Sequence, residues 1–111
     1  MAYTSCVSVA IKESDYNKIK SDGHYDELLL NASLDVVYDE DDGKICILRW
    51  NSVKWYTTRD DIVSVGDIFM HKLRSLGEYE YLRLGQDVDD IEHEMKFFGR
   101  AYFSLLIKSE L

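Results

Sequence analysis

The chain has 111 residues and a formal net charge of −8, because 21 Asp and Glu outnumber 13 Lys and Arg. A composition of 46% hydrophobic and 13% aromatic residues is typical of a folded domain and excludes a disordered acidic tail. The negative charge also disfavours direct binding to nucleic acids or anionic membranes, which are themselves negative. We therefore expect one cytosolic domain over residues 1–111, with no signal peptide and no membrane span.

The N-terminal part predicts a strand followed by a short helix. Residues 3–12 alternate, with Val7, Val9 and Ile11 on one side, as in a strand with one apolar face. Residues 13–20 favour a short helix with Ser14 at its N-cap. Cys6 and Cys46 both lie in predicted strands, and a cytosolic setting favours free thiols over a disulfide.

Residues 25–50 predict a hairpin. Leu28 to Leu30 suit a short buried helix, whereas the alternation that begins at Leu34 favours a strand up to Tyr38. The acidic residues 40–42 with Gly43 then form the hairpin loop, and residues 44–50 return as a strand. Beyond it, residues 51–52 either turn the chain or belong to a bulged extension of the same strand.

The second half contains the main helix and further strands. Apolar residues three and four apart predict a helix over about residues 60–76, with Gly77 placed to end it. Residues 78–84 indicate a strand and residues 100–111 a last one. Residues 87–98 fit either a helix or a turn followed by a strand that starts at Ile91.

These elements predict an α+β fold. Strands outnumber helices, and short turns join most of them. We expect an antiparallel β-sheet of about 5–6 strands, with the main helix packed on one face and a short helix near residues 13–20.

The acidic residues are concentrated in two runs. The first contains Asp39, Glu40, Asp41 and Asp42, and the second contains Asp87, Asp89, Asp90, Glu92 and Glu94. The first run does not match an EF-hand, since Gly43 stands fifth rather than sixth and Trp50 occupies the twelfth position. Solvated loops are the ordinary interpretation of such runs, and partner-binding surfaces are the functional one.

Catalytic and metal-binding motifs are missing from the sequence. His93 has Glu92 and Glu94 beside it, but adjacent residues point apart in a strand and do not face each other in a helix. No nucleophile elbow, phosphate loop or zinc pattern is present. We therefore predict no enzyme activity, no metal and no cofactor, with a small enzyme or metal-binding protein around His93 as an alternative.

Aromatic residues cluster after the predicted hairpin. Trp50, Trp55 and Tyr56, with Lys54 between them, are expected mainly in the core. If Trp55 is buried, Lys54 and Tyr56 face outward and extend a partner-binding surface.

Two segments resemble a family of small phage and prophage proteins with no established activity. The segment from Trp50 to Tyr56 matches W-x-x-V-K-W-Y, and the segment from Arg83 to Glu92 is similar to R-x-G-E-D-x-x-D-I-E, with Gln86 in place of the Glu. The resemblance covers roughly the second half of the chain. It implies a mobile-element setting and favours a strand over residues 91–97.

Charge and resemblance together lead to a functional hypothesis. Small acidic phage proteins, anti-CRISPR proteins among them, commonly occupy a basic surface of a host protein. We expect an inhibitor that binds a nucleic-acid-handling host protein through both acidic runs, Lys54 and Tyr56. An immunity protein against a cationic toxin nuclease is the alternative, and aromatic residues on a sheet edge would favour a homodimer.

Overall fold

A computed structural model of the chain describes residues 5–40, 43–53, 65–85 and 90–96. The elements in these ranges are, in chain order, β1 (Ser5–Lys12), α1 (Glu13–Asp22), α2 (Asp26–Leu30), β2 (Ser33–Asp39), β3 (Gly43–Val53), α3 (Val65–Arg74), β4 (Tyr79–Leu84) and β5 (Ile91–Lys96). The strands form one antiparallel sheet in the order β2-β3-β1-β4-β5. The predicted α+β fold with an antiparallel sheet is confirmed.

One face of the sheet, here called the helix face, carries most of the core. Val7, Val9 and Ile11 of β1 alternate onto this face and are at most 1% exposed. They belong to one buried cluster with residues from α1, β3, α3 and β4, including Ile19, Cys46, Leu48, Trp50, Phe69, Leu73 and Tyr81. The other face, here called the opposite face, has a smaller buried cluster of Ala10, Ile45, Ile47 and Leu82.

Trp50 joins the helices to the sheet. Its indole N–H donates a hydrogen bond to the backbone carbonyl of Leu28 at 2.8 Å. Its ring packs edge-on against Phe69, with centroids 5.7 Å apart, and Tyr25 packs against the same phenylalanine. This confirms the core interpretation for Trp50, whereas Lys54, Trp55 and Tyr56 lie outside the described residues.

Residues 28–30 are helical, as expected, but the helix is not buried. No residue of α2 is buried, and Leu30 is 84% exposed. The prediction of a buried helix was therefore wrong. A helix of little more than one turn can direct only one side toward the core. Leu28 and Leu29 pack against the core cluster from that side, while Leu30 points to water.

The predicted N-cap of the first helix was wrong, and the main helix ends two residues before the predicted end near residue 76, while its predicted start near residue 60 lies outside the described residues. Ser14 does not cap α1, because the helix already starts at Glu13, after Lys12, which makes no side-chain cap. At the other helix, α3 ends at Arg74 rather than near residue 76. The Ser75 hydroxyl and backbone N–H both donate to the Lys72 carbonyl, and this local bonding competes with another helical turn.

The alternatives left open for two strands are now decided. β3 runs through residues 51–52 to Val53, and its pairing with β1 shifts by one residue between Val7↔Trp50 and Ser5↔Val53. This shift is a β-bulge, so the bulged extension is correct and the turn is not. Residues 91–96 form a strand, as the resemblance implied.

The β2–β3 hairpin forms where the acidic loop predicted it. Asp39 pairs with Gly43, whose φ of 80° lies in the left-handed region that glycine adopts without strain.

Cys46 is buried and Cys6 is exposed, and both are free thiols. Burial raises the pKa of the Cys46 thiol, and Glu13 adds to the shift. No helix in the described ranges is long and apolar enough to cross a membrane.

Candidate functional site

Asp39 of the first acidic run and Asp90 of the second lie at diagonal corners of the described sheet. Asp39 ends β2 at one edge, whereas Asp90 precedes β5 at the other edge. A row across the sheet joins Leu34, Leu48, Val9, Tyr81 and Glu94. Asp39 and Asp90 lie on opposite sides of this row. Given the usual rise per residue and the usual distance between strands, they are on the order of 30 Å apart. The described members of the two runs do not form one continuous surface.

Asp90 and Glu92 of the second run are paired with a cation of the same protein. Arg83 donates to Asp90 at 2.6 Å, to Glu92 at 2.5 Å and to the Ser5 hydroxyl at 3.0 Å, and its side chain is only 13% exposed. Burial alone would lower the pKa of Arg83, but the hydrogen bonds to Asp90 and Glu92 outweigh this effect, so the pKa of Arg83 is raised. In return, the hydrogen bond from Arg83 lowers the pKa of Asp90.

Glu94 has a cation of its own. Arg74 at the end of α3 donates to it at 2.8 Å, and the Tyr79 hydroxyl donates at 3.3 Å. The bond to Glu94 raises the pKa of Arg74, while burial and then Glu94 raise the pKa of Tyr79. Asp90, Glu92 and Glu94 therefore connect β5 to β4 and α3, an intramolecular role that the sequence did not reveal.

His93 lies on the opposite face, away from its two acidic neighbours. Its Nε2 is 2.8 Å from Oε2 of Glu80, a side chain with no exposed surface. Glu92 and Glu94 point to the helix face, because adjacent residues of a strand alternate. In the part of the chain that the structure describes, no three His, Cys, Asp or Glu side chains are grouped as metal ligands would be.

The most exposed apolar surface of the sheet lies along β2. Leu34, Val36 and Tyr38 on the helix face are 45%, 53% and 73% exposed, and Val37 on the opposite face is 37% exposed. The carboxylates of Asp35 and Glu40 are exposed beside them. We call these six residues the β2 edge surface. Of these six residues, the acidic pattern of the sequence predicted only Glu40 as part of a binding surface.

Of the remaining predicted site residues, the structure describes only Asp39. Asp39 is partly exposed at the end of β2. The predicted partner-binding residues Asp41, Asp42, Lys54, Tyr56, Asp87 and Asp89 lie outside the described residues. The structure thus brings Glu40 and Asp39 next to an apolar edge, and it pairs Asp90, Glu92 and Glu94 internally.

A shallow groove separates α1 from α2 on another part of the surface. It has a volume of about 350 Å³ and is lined by Tyr16, Lys20, Asp26, Leu29 and Leu30. Its charged lining residues, Lys20 and Asp26, are of opposite sign, so the groove has no clear preference for ligands of one charge.

Comparisons with known proteins give no match, whether with protein-family models, curated proteins or solved structures.

Proposed function

We propose that this chain is a non-enzymatic inhibitor that binds a basic surface of another protein through its β2 edge surface. The observation that carries the proposal is the combination of exposed Leu34, Val36 and Tyr38 with the carboxylates of Asp35 and Glu40. Apolar and aromatic side chains surrounded by polar groups are the usual composition of a binding hot spot.

Charge favours a cationic partner. The chain carries a net charge of −8, while Arg83 and Arg74 already neutralise the described part of the second run. These two arginines pair with three carboxylates, so most of the net negative charge lies elsewhere in the chain, and carboxylates beside the apolar strand would speed the encounter with a basic surface.

The biological setting comes from the resemblance to phage and prophage proteins. In that setting, the basic surface would belong to a host defence protein that handles nucleic acid, as for anti-CRISPR proteins. Occupying the surface would block nucleic acid by steric exclusion and by charge. This refines the hypothesis from the sequence, because β2 and the hairpin, rather than both acidic runs together, form the contact.

The experiment is partner capture from host lysate, followed by affinity measurement with two variants. Removing the charges of Asp35 and Glu40 together (Asp35→Asn with Glu40→Gln) should weaken binding about tenfold and reduce its salt dependence. Asp90→Asn removes a charge at the opposite sheet edge and should change the affinity less than about twofold. The proposal would be refuted if both variants lost affinity equally. It would also be refuted if the affinity depended neither on salt nor on either variant.

A further inference from the structure

β2 has the features of a strand that accepts another strand. It pairs with β3 over its whole length, from Ser33↔Arg49 to Asp39↔Gly43, without a register shift. In the described ranges no strand pairs with its other side. Its sequence SLDVVYD lacks Lys and Pro, two residue types that natural proteins use to protect sheet edges, and its only charged residues, Asp35 and Asp39, are acidic.

The other sheet edge shows the contrast within the same molecule. β5 carries Glu92, Glu94 and Lys96 on its helix face, and all three make polar contacts with β4, α3 or the segment between them. Charged side chains that are held this way discourage strand addition. The unprotected character of β2 is therefore not a general property of this sheet.

We propose that an extended segment of the partner adds to β2 as a further strand, and that this segment alternates apolar residues with Lys or Arg. This inference depends on the proposed function and defines its contact. On the helix face, apolar residues of the segment would pack against Leu34, Val36 and Tyr38. On the opposite face, its cations would lie beside Asp35 and Asp39, the two carboxylates that β2 carries on that face.

A second copy of the chain fits the same edge less well. Antiparallel self-pairing centred on Val36 would place Leu34 against Tyr38, which is favourable. The same register would bring the two Asp35 carboxylates within about 7–8 Å on one face. Each copy also carries a net charge of −8, so the repulsion acts against this dimer. Charge complementarity selects a cationic strand instead.

Designed peptides test the mode of binding without knowledge of the partner. The probe is a capped peptide of alternating lysine and valine, seven residues long to match β2. We expect it to bind and to perturb amide resonances of β2 and β3 selectively. The same peptide with every backbone nitrogen methylated keeps its charge but cannot donate hydrogen bonds, and it should bind at least about tenfold more weakly. A glutamate and valine peptide should not bind.

Two matched variants localise the contact. Val36→Lys places a cation on β2, and Met95→Lys makes a similar change at an exposed residue of β5. The first should weaken binding of the lysine and valine peptide at least about tenfold, and the second less than about twofold. Far-ultraviolet circular dichroism checks that both variants remain folded.

The outcomes separate this inference from the proposed function. Equal binding of the methylated peptide, or perturbation away from β2, would overturn strand addition even if a captured host protein still binds through Asp35 and Glu40. If the peptide binds at β2 but no host protein binds in a charge-dependent way, strand addition would be supported and the proposed function refuted. A dimer in sedimentation equilibrium that Val36→Lys abolishes would show that a second copy occupies the edge instead.

Discussion

At the scale of single residues, Arg83 organises the junction of β1, β4 and β5. Its guanidinium bonds to side chains of Ser5, Asp90 and Glu92 while being largely shielded from water. Replacing it with Gln would leave Glu92 partly buried without its cation, so we expect a loss of about 1–3 kcal/mol in unfolding free energy at pH 7.

The pH dependence of that loss follows from Asp90. Arg83 lowers the pKa of Asp90 in the folded protein, so this pair stabilises the fold above the unfolded-state pKa of about 4. The contribution is lost as the pH falls through the lowered folded-state pKa. Urea unfolding should therefore show a smaller difference between wild type and Arg83→Gln at pH 3 than at pH 7. A constant difference would contradict this account.

Gly85 is required by the same junction. Its N–H donates to the Asp90 carbonyl at 2.7 Å, and a Cβ at this position would overlap the Asp90 carboxylate. In Gly85→Ala that carboxylate must move away from Arg83, so we expect a loss of about 1–2 kcal/mol. The loss should be smaller in an Asp90→Ala background, and additive losses in the double-mutant cycle would refute the coupling.

The buried Glu80 gives His93 a structural role. A carboxylate without exposed surface depends on its hydrogen-bond partners, and His93 lies 2.8 Å away. We expect His93→Ala to lower the unfolding free energy by about 1–3 kcal/mol. Met95→Ala changes an exposed residue on the same face of β5 and should stay within about 0.5 kcal/mol in the same denaturation assay. Comparable effects of the two changes would contradict this role.

At the scale of elements, sequence periodicity predicted the type of element and its core residues where the element buries one face. The alternation in β1 and the three-and-four spacing in α3 both correspond to core residues, such as Val9 and Leu73. Periodicity could not show that Leu34, Val36 and Tyr38 remain exposed, because a strand has the same alternation whether or not a neighbouring element covers it. Exposure is a property of the assembled sheet.

The acidic runs illustrate a second limit of the sequence. Charges that are adjacent in the chain indicated one patch, but Asp90, Glu92 and Glu94 receive their cations from β4 and α3. Arg74 is 20 residues from Glu94 along the chain, so the pair depends on how the main helix ends over the sheet. Such long-range neutralisation leaves no local sequence pattern.

Strand position also predicts the pattern of amide hydrogen exchange. β1 is central and pairs with β3 and β4, so its amides should be among the slowest to exchange. β2 pairs with β3 alone in the described sheet, and alternate amides of β2 point away from that partner. We expect rapid exchange at those alternate residues, and slower exchange when the lysine and valine peptide is added. Uniform protection along β2 in the free protein would contradict the open edge.

At the scale of the whole molecule, net charge and the β2 edge have opposing effects. An apolar edge that no strand of the described sheet covers promotes association between copies, whereas a charge of −8 on each copy opposes it. The separation of the described acidic residues supports this view, since Asp90, Glu92 and Glu94 are paired internally, whereas Asp39 and Glu40 lie at the end of β2 itself. The net charge thus opposes pairing of two copies through β2.

Lowering the pH toward the isoelectric point of about 4.7 should remove this protection. As the net charge of each copy falls toward zero, repulsion between copies weakens and the exposed edges can pair, so light scattering should rise between pH 7 and pH 4.7. Val36→Lys should suppress this rise, because it places a charge on the associating edge. Met95→Lys changes the net charge by the same amount at the other edge and should leave most of the rise in place. Equal suppression by both variants would show that net charge alone governs association, with no special role for β2.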